Sequence, residues 1–213
     1  AGTKAVASHT GVLAGNSAVF DAALRQGGIV SAQNFEELLD LVIGFNSPVL
    51  PAGNRLGLLV EAGSGAVTGS DIYEELGLEM PTLTPATQKE LDDTLKDTTM
   101  PSLIRQNPVD LGWLDMEASP RLHIACSRIM AKDVDAVVTL SYSHLDKKFV
   151  SDLANLRDEV GKPIILVVGL PSLEREGMSP MIRNKIPTFT ILQRALKVLS
   201  AMVRYTNYRQ QYT

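Results

Sequence analysis

Of the three histidines in the chain, His9 has the most unusual company, Ser8-His9-Thr10-Gly11, inside the run AGTKAVASHTGVLAGNSA with almost no large side chains. A histidine buried for packing normally has apolar neighbours, and a metal-binding one needs further ligands at set spacing. No second His, Cys or carboxylate lies close to His9, so no metal site is expected there. What remains is an imidazole on a glycine-containing loop. At its ordinary pKa imidazole is a competent nucleophile near neutrality. On spacing alone, the plainer reading of a surface histidine in a frayed terminus stays open.

A second cluster is Gly63-Ser64-Gly65-Ala66, placed between an apolar run and a helical segment. Glycine lets a backbone approach an anion closely, and a helix N-terminus supplies free N–H donors and the positive end of the dipole. Gly63, Gly65 and Gly69 approximate a dinucleotide fingerprint, one residue too long, with Glu79 as a candidate ribose acid. A bare phosphate site and a tight turn without ligand are the competing readings. A third cluster is Asn107-Pro108-Val109-Asp110, where the X-Pro step extends the backbone and fixes Asn107 relative to Asp110; it also reads as a capped loop. Cys126, between Ile124 and Ile129, reads as a buried, inert thiol. His123 shows no partner in sequence and reads as a surface or cap residue. His144 falls in the loop after a central strand, where ligands bind in open α/β sheets. Trp113 reads equally as a lid or a core residue.

The elements that must carry these residues follow from periodicity. Ser17–Gln26 reads as a helix stopped by Gly27-Gly28, and Phe35, Leu38, Leu39, Val42 and Ile43 recur at helical spacing behind Asn34 as N-cap. Pro48, Pro51 and Gly53 mark a domain boundary. From Arg55 onward strands alternate with helices. Strands are expected at Leu56–Val60, Ala136–Leu140, Ile164–Val168 and Thr188–Thr190. Helices are expected through Asp71–Leu76, over Pro85–Leu95 behind Thr84, around Leu122–Met130, through Val150–Val160, and from Leu192 to Val203. Asp97–Gly112 reads as loop, and Tyr205–Thr213 as a polar tail that frays or docks elsewhere. The fold class is therefore α/β: a flavodoxin-like, doubly wound parallel sheet of about five strands, preceded by a mostly helical N-terminal segment.

Composition narrows the function classes. The chain has 213 residues, 20 basic against 24 acidic, and a net charge of −4, so it lacks the basic footprint of a nucleic-acid protein. Its longest uncharged apolar stretch, Pro163–Pro171, is too short to span a bilayer. One cysteine leaves no disulfide framework and fits a reducing cytoplasm. The opening Ala1-Gly2-Thr3 has no initiator Met and no signal-peptide pattern, and reads as the middle of a longer polypeptide.

The segment SHTGVLAGNSAVFDAALRQGGIV, followed by FEELLDL, resembles the phosphohistidine segment of the ADP-forming acyl-CoA synthetases, relatives of succinyl-CoA synthetase. The likeness continues in the family's order through GNRLGLLVEAGSG, EELGLEMPTLTPATQKEL, NPVDLGW, DVDAVVTL, GKPIILVVG and IPTFTILQRALKVLSAMVRY, across nearly the whole chain. It implies that residues 1–50 are the C-terminal end of a CoA-ligase domain with the phosphohistidine loop, and residues 51–213 a flavodoxin-like ligase domain. It further implies an acid–thiol ligase that makes acyl-CoA, ADP and phosphate from a carboxylic acid, CoA and ATP with Mg. His9 would carry the phosphoryl group, supported by Ser8, Thr10 and Gly11, and a carrier that travels between sites suits a loop of small residues. The phosphoryl group would rest at Gly63, Ser64, Gly65 and Ala66, with a second helix N-terminus from another domain and with Asn107 and Asp110 lining the pocket.

Two departures qualify what the resemblance implies. The family usually has Asn-Ala-Gly-Gly where this chain has Glu61-Ala62-Gly63-Ser64. The Glu61 charge either turns away from the phosphate or orients His9 by accepting its Nδ1–H. The chain also shows no CoA-binding Rossmann pattern and no ATP-grasp pattern, so the piece alone is expected to be inactive and to bind no cofactor of its own. ATP or ADP, Mg and CoA would belong to the complete enzyme. Its expected partners are a CoA-binding domain, an ATP-grasp domain or subunit and a small carboxylic acid, in the cytoplasm, with no nucleic acid or membrane; a homo-oligomer is compatible. The alternative, favoured by Glu61, is a non-catalytic regulatory or assembly domain of the same fold, for example fused to an acyltransferase. A nicotinamide-binding oxidoreductase would rest on Gly63–Gly69 alone.

Overall fold

The structure is a computed structural model that describes residues 17–97, 105–114, 117–142, 146–169 and 180–212. Two helices come first, α1 (Ser17–Gln26) and α2 (Phe35–Phe45). Asn34 caps α2 by accepting from the Glu37 amide at 2.8 Å. Strand β1 (Leu56–Val60), helix α3 (Gly63–Ile72), helix α4 (Pro85–Leu95) and strand β2 (Val109–Asp110) follow. Then come α5 (Ala118–Met130), β3 (Ala136–Ser141), α6 (Lys147–Val160), β4 (Ile164–Val168), β5 (Thr188–Phe189) and α7 (Leu192–Tyr212).

The five strands form one all-parallel sheet in the order β2-β1-β3-β4-β5. That is the expected flavodoxin-like order, and its switch point lies between β1 and β3. β1, β3 and β4 are buried along their whole length, as strands covered on both faces are; β1 and β4 carry no polar side chain, and β3 carries Thr139 and Ser141. One face carries α4, α5 and α6, with Leu91, Leu122, Cys126, Met130 and Leu153 in its core. The other carries α3 and α7, with Ala66, Leu196, Leu199 and Met202. Helix α2 lies on α7: Gly44 leaves room for the Val198 side chain, and Arg194 grips Asp40 with two nitrogens.

Three expectations change. The helix expected through Asp71–Leu76 is instead α3, which starts at Gly63 and ends at Ile72, with turns up to Gly77. Its glycines have little intrinsic helix preference, but they let α3 sit close on β1: a Cβ at Gly65 would lie 3.2 Å from Val60 Cγ1, and one at Gly69 would collide with Leu58 Cδ2. Within Asp97–Gly112, read as loop, Val109–Asp110 pairs with Leu59–Val60 as an edge strand too short to show a period. The tail does not fray. α7 runs to Tyr212, and Tyr205 packs edge-to-face on Phe45 with centroids 5.5 Å apart.

Candidate functional site

The carboxyl ends of β1, β2 and β3 frame the region where such sheets bind ligands. β1 ends at Val60, Glu61 follows, and Ala62 is the N-cap of α3 in an extended conformation with no side-chain cap bond. Gly63 and Ser64 are exposed, and Gly65 and Ala66 are buried. The Gly65 amide returns to the Ala62 carbonyl at 2.9 Å. Ala62 makes no side-chain cap bond, and the first-turn residues Gly63 and Ser64, whose N–H groups have no partner within the helix, are exposed at this end of the sheet.

The two acidic residues beside α3 point differently. Asp110, 6% exposed at the end of β2, accepts from the Gly112 amide through Oδ1 at 2.8 Å. Its Oδ2 lies 3.3 Å from where a Cβ on Gly63 would be, against the start of α3. Glu61 is 2% exposed and turned inward. Its Oε1 accepts from Ser119 Oγ and, at 3.0 Å, from His123 Nε2; its Oε2 accepts from the Tyr142 amide at 2.5 Å and from Ser141 Oγ at 3.3 Å. Burial alone would raise the Glu61 carboxyl; the hydrogen bond and charge interaction with His123, then the Ser119 and Tyr142 donors, outweigh it and hold it at about 2.

His123 is therefore no surface or cap residue. It is fully buried, with Nε2 on Glu61 and Nδ1 2.5 Å from Thr139 Oγ1. Its main partner lies 62 residues upstream, so only the fold brings the pair together. One sequence signal was available: Ser119, His123 and Ser127 recur four residues apart and form a buried polar stripe on α5. Ser119 and His123 find partners in Glu61 and Thr139, whereas Ser127 Oγ has none among the described residues.

Asn107 lies apart from the α3 start. Its Oδ1 accepts from the Leu58 amide at 3.0 Å, and its Nδ2 donates to the Leu56 carbonyl at 2.8 Å and the Pro81 carbonyl at 3.2 Å. It continues the edge of β1 where β2 has not yet begun, three residues before Asp110. Cys126 is buried, and burial pushes its thiol up to about 12. Trp113 lies outside the core, 85% exposed, and stacks on Tyr142 with centroids 6.0 Å apart. Ser8, His9, Thr10, Gly11 and His144 lie outside the described residues. Among the described residues no group of three His, Cys, Asp or Glu side chains is arranged to hold a metal, and no helix is long and apolar enough to cross a membrane.

Residues 1–45 match the family model of the succinyl-CoA ligase-like flavodoxin domain. An ADP-forming acetate–CoA ligase II of Archaeoglobus fulgidus is 30% identical over 99% of this chain and 31% of its own length. An ADP-forming 4-hydroxybutyrate–CoA ligase of Nitrosopumilus maritimus is 27% identical over 97% of the chain and 29% of its own. The chain thus spans about a third of the length of these curated relatives. Among solved structures, the dinucleotide-forming acetyl-coenzyme A synthetase 1 of Ca. Korarchaeum cryptofilum, in complex with phosphate and ADP, superposes with a TM-score of 0.79. It is 24% identical, covering 98% of this chain and 45% of that one, a likeness of fold.

Proposed function

Because the chain belongs to the ADP-forming acyl-CoA synthetase superfamily, we propose that it is the phosphoryl-handling part of an acid–CoA ligase working through a phosphohistidine. Residues 1–50 close a CoA-ligase domain with the carrier loop, and residues 51–213 are the flavodoxin-like domain. The observation that carries this reading is the start of α3, whose N-cap Ala62 makes no side-chain cap bond, which leaves Gly63 and Ser64 exposed and stands at the carboxyl end of β1. Such a terminus stabilises an anion by about 0.3–1 kcal/mol when exposed, more when water is excluded.

His9 attacks the γ-phosphorus of ATP through a ring nitrogen, and ADP leaves. The phosphoryl group then passes to a carboxylate oxygen of the acid, giving an acyl phosphate and free imidazole. The CoA thiol attacks the acyl carbon and gives up its proton, and inorganic phosphate leaves. The α3 amides hold the phosphoryl oxygens during the transfer to the acid. Mg, ATP and CoA bind to the CoA-binding and ATP-grasp parts of the complete enzyme, in the cytoplasm, where a lone thiol such as Cys126 stays reduced.

The inward turn of Glu61 supports the catalytic reading over a non-catalytic regulatory domain. Among the described residues its carboxylate meets His123, Ser119, Ser141 and the Tyr142 amide, on the sheet side of the α3 start. The test is acyl-CoA formation by the complete ligase from Mg-ATP, CoA and acetate. A His9→Ala variant should lose at least about a thousandfold in kcat. Comparable turnover by the variant contradicts the proposal.

A further inference from the structure

The aromatic pair of exposed Trp113 and half-buried Tyr142 has no role in the phosphoryl chemistry above, yet it is held in place from several directions. Each residue is tied to one of the carboxylates that flank the α3 start. Asp110, with Oδ2 against Gly63, holds the Gly112 amide at 2.8 Å, and Gly112 has φ +66°, a left-handed conformation that sends the chain on into Trp113. Glu61, two residues before Gly63, holds the Tyr142 amide at 2.5 Å. The Tyr142 ring in turn lies over Gly169 at the end of β4, so close that any Cβ there would collide with it. β2 and β3 are the two neighbours of β1. The pair therefore meets across the end of β1, beside the α3 amides, at the switch point of the sheet.

We infer that Trp113 and Tyr142 form the wall against which the carbon skeleton of the acid substrate packs, its activated carboxyl lying at the α3 N-terminus. This rests on the ligase reading above and gives it a substrate class: acids with an apolar or aromatic skeleton in preference to acetate. An acyl phosphate joins a doubly charged head to an uncharged tail. The head belongs at the α3 amides, and the tail has to leave toward a neighbouring strand end. On that side the chain offers a rigid aromatic face, 85% exposed at Trp113. An indole in that position gains by being covered, and flat rings and hydrocarbon chains suit it better than a phosphate does. The stacked Tyr142 keeps the indole oriented, so little freedom remains to be lost on binding.

The experiment compares kcat/KM of the complete ligase for hexanoate, phenylacetate and acetate, in wild type, Trp113→Ala and Trp113→Phe. Trp113 is exposed, so the variants should fold, and circular dichroism checks this. The alanine variant should lower the phenylacetate-to-acetate and hexanoate-to-acetate ratios at least about fivefold, with phenylalanine restoring much of the loss. Unchanged ratios, or an equal loss for all three acids as expected of a domain contact, overturn the wall while leaving the ligase intact. If the wild type forms no acyl-CoA from any of the acids, the ligase reading fails and the wall fails with it.

Discussion

Replacing Glu61 by Gln keeps the size of the side chain and removes its charge. The carboxylate meets four donors among the described residues: Ser119, His123, Ser141 and the Tyr142 amide. Gln offers an oxygen to only one end of this set and turns an NH2 toward the other. The serine hydroxyls can rotate to accept from it, but the Tyr142 N–H cannot. Holding the carboxyl at about 2, against 4.5 when free, corresponds to about 3 kcal/mol favouring the ionised form in the folded state, at ~1.4 kcal/mol per pH unit. The sign follows from proton binding. Between pH 4.5 and about 2 the unfolded chain carries the proton and the folded chain does not, so this stability is complete above pH 4.5 and is lost as pH falls toward 2. Glu61→Gln should therefore be less stable than wild type by about 3 kcal/mol near pH 6, and the gap should narrow by about 2 kcal/mol by pH 3. Urea denaturation followed by far-UV circular dichroism at about pH 6, 5, 4 and 3 measures both curves. The difference between the two proteins isolates Glu61 from the other carboxylates. Parallel curves would refute the reasoning, since they would mean that Glu61 is not ionised against His123 in the folded protein.

Two further outcomes follow from packing. Gly69→Ala puts a methyl group into Leu58 Cδ2 at the α3–β1 contact; urea unfolding should show a loss of about 1–2 kcal/mol despite the better helix propensity of Ala, and a gain in stability would contradict the close approach. Cys126, buried with its thiol pushed up to about 12, should resist iodoacetamide at pH 8 in the native protein and react within minutes in 6 M guanidinium, so fast native labelling would contradict its burial.

The parts of the fold that were legible in sequence are those in which local pattern and tertiary role agree. Leu56–Val60 and Ile164–Val168 are strands over their expected spans, because a strand covered on both faces must be apolar throughout. Asn34 and Thr84 cap their helices as their side-chain chemistry requires. What escaped depends on contacts distant in sequence. α3 is glycine-rich because it presses on Leu58 and Val60, so its helical character comes from packing and not from propensity. The same contacts account for Gly65 and Gly69 without a dinucleotide. Of the candidate site, the α3 start and Asp110 come together at the sheet edge, whereas Asn107 is spent on the β1 backbone. Glu61 stands out in sequence as a misplaced charge, but its partner His123 sits on a helix of the opposite layer, and no spacing rule connects the two.

Phosphate on His9 is the decisive observable. The complete polypeptide, with any ATP-grasp subunit, is incubated with Mg-ATP, and protein-bound phosphate is tested for acid lability and base stability and located by mass spectrometry. The ligase reading predicts acid-labile, base-stable phosphate on His9, absent from His9→Ala and discharged on adding acid and CoA. A wild type that carries no phosphate, or a His9→Ala variant that keeps it, contradicts the assignment.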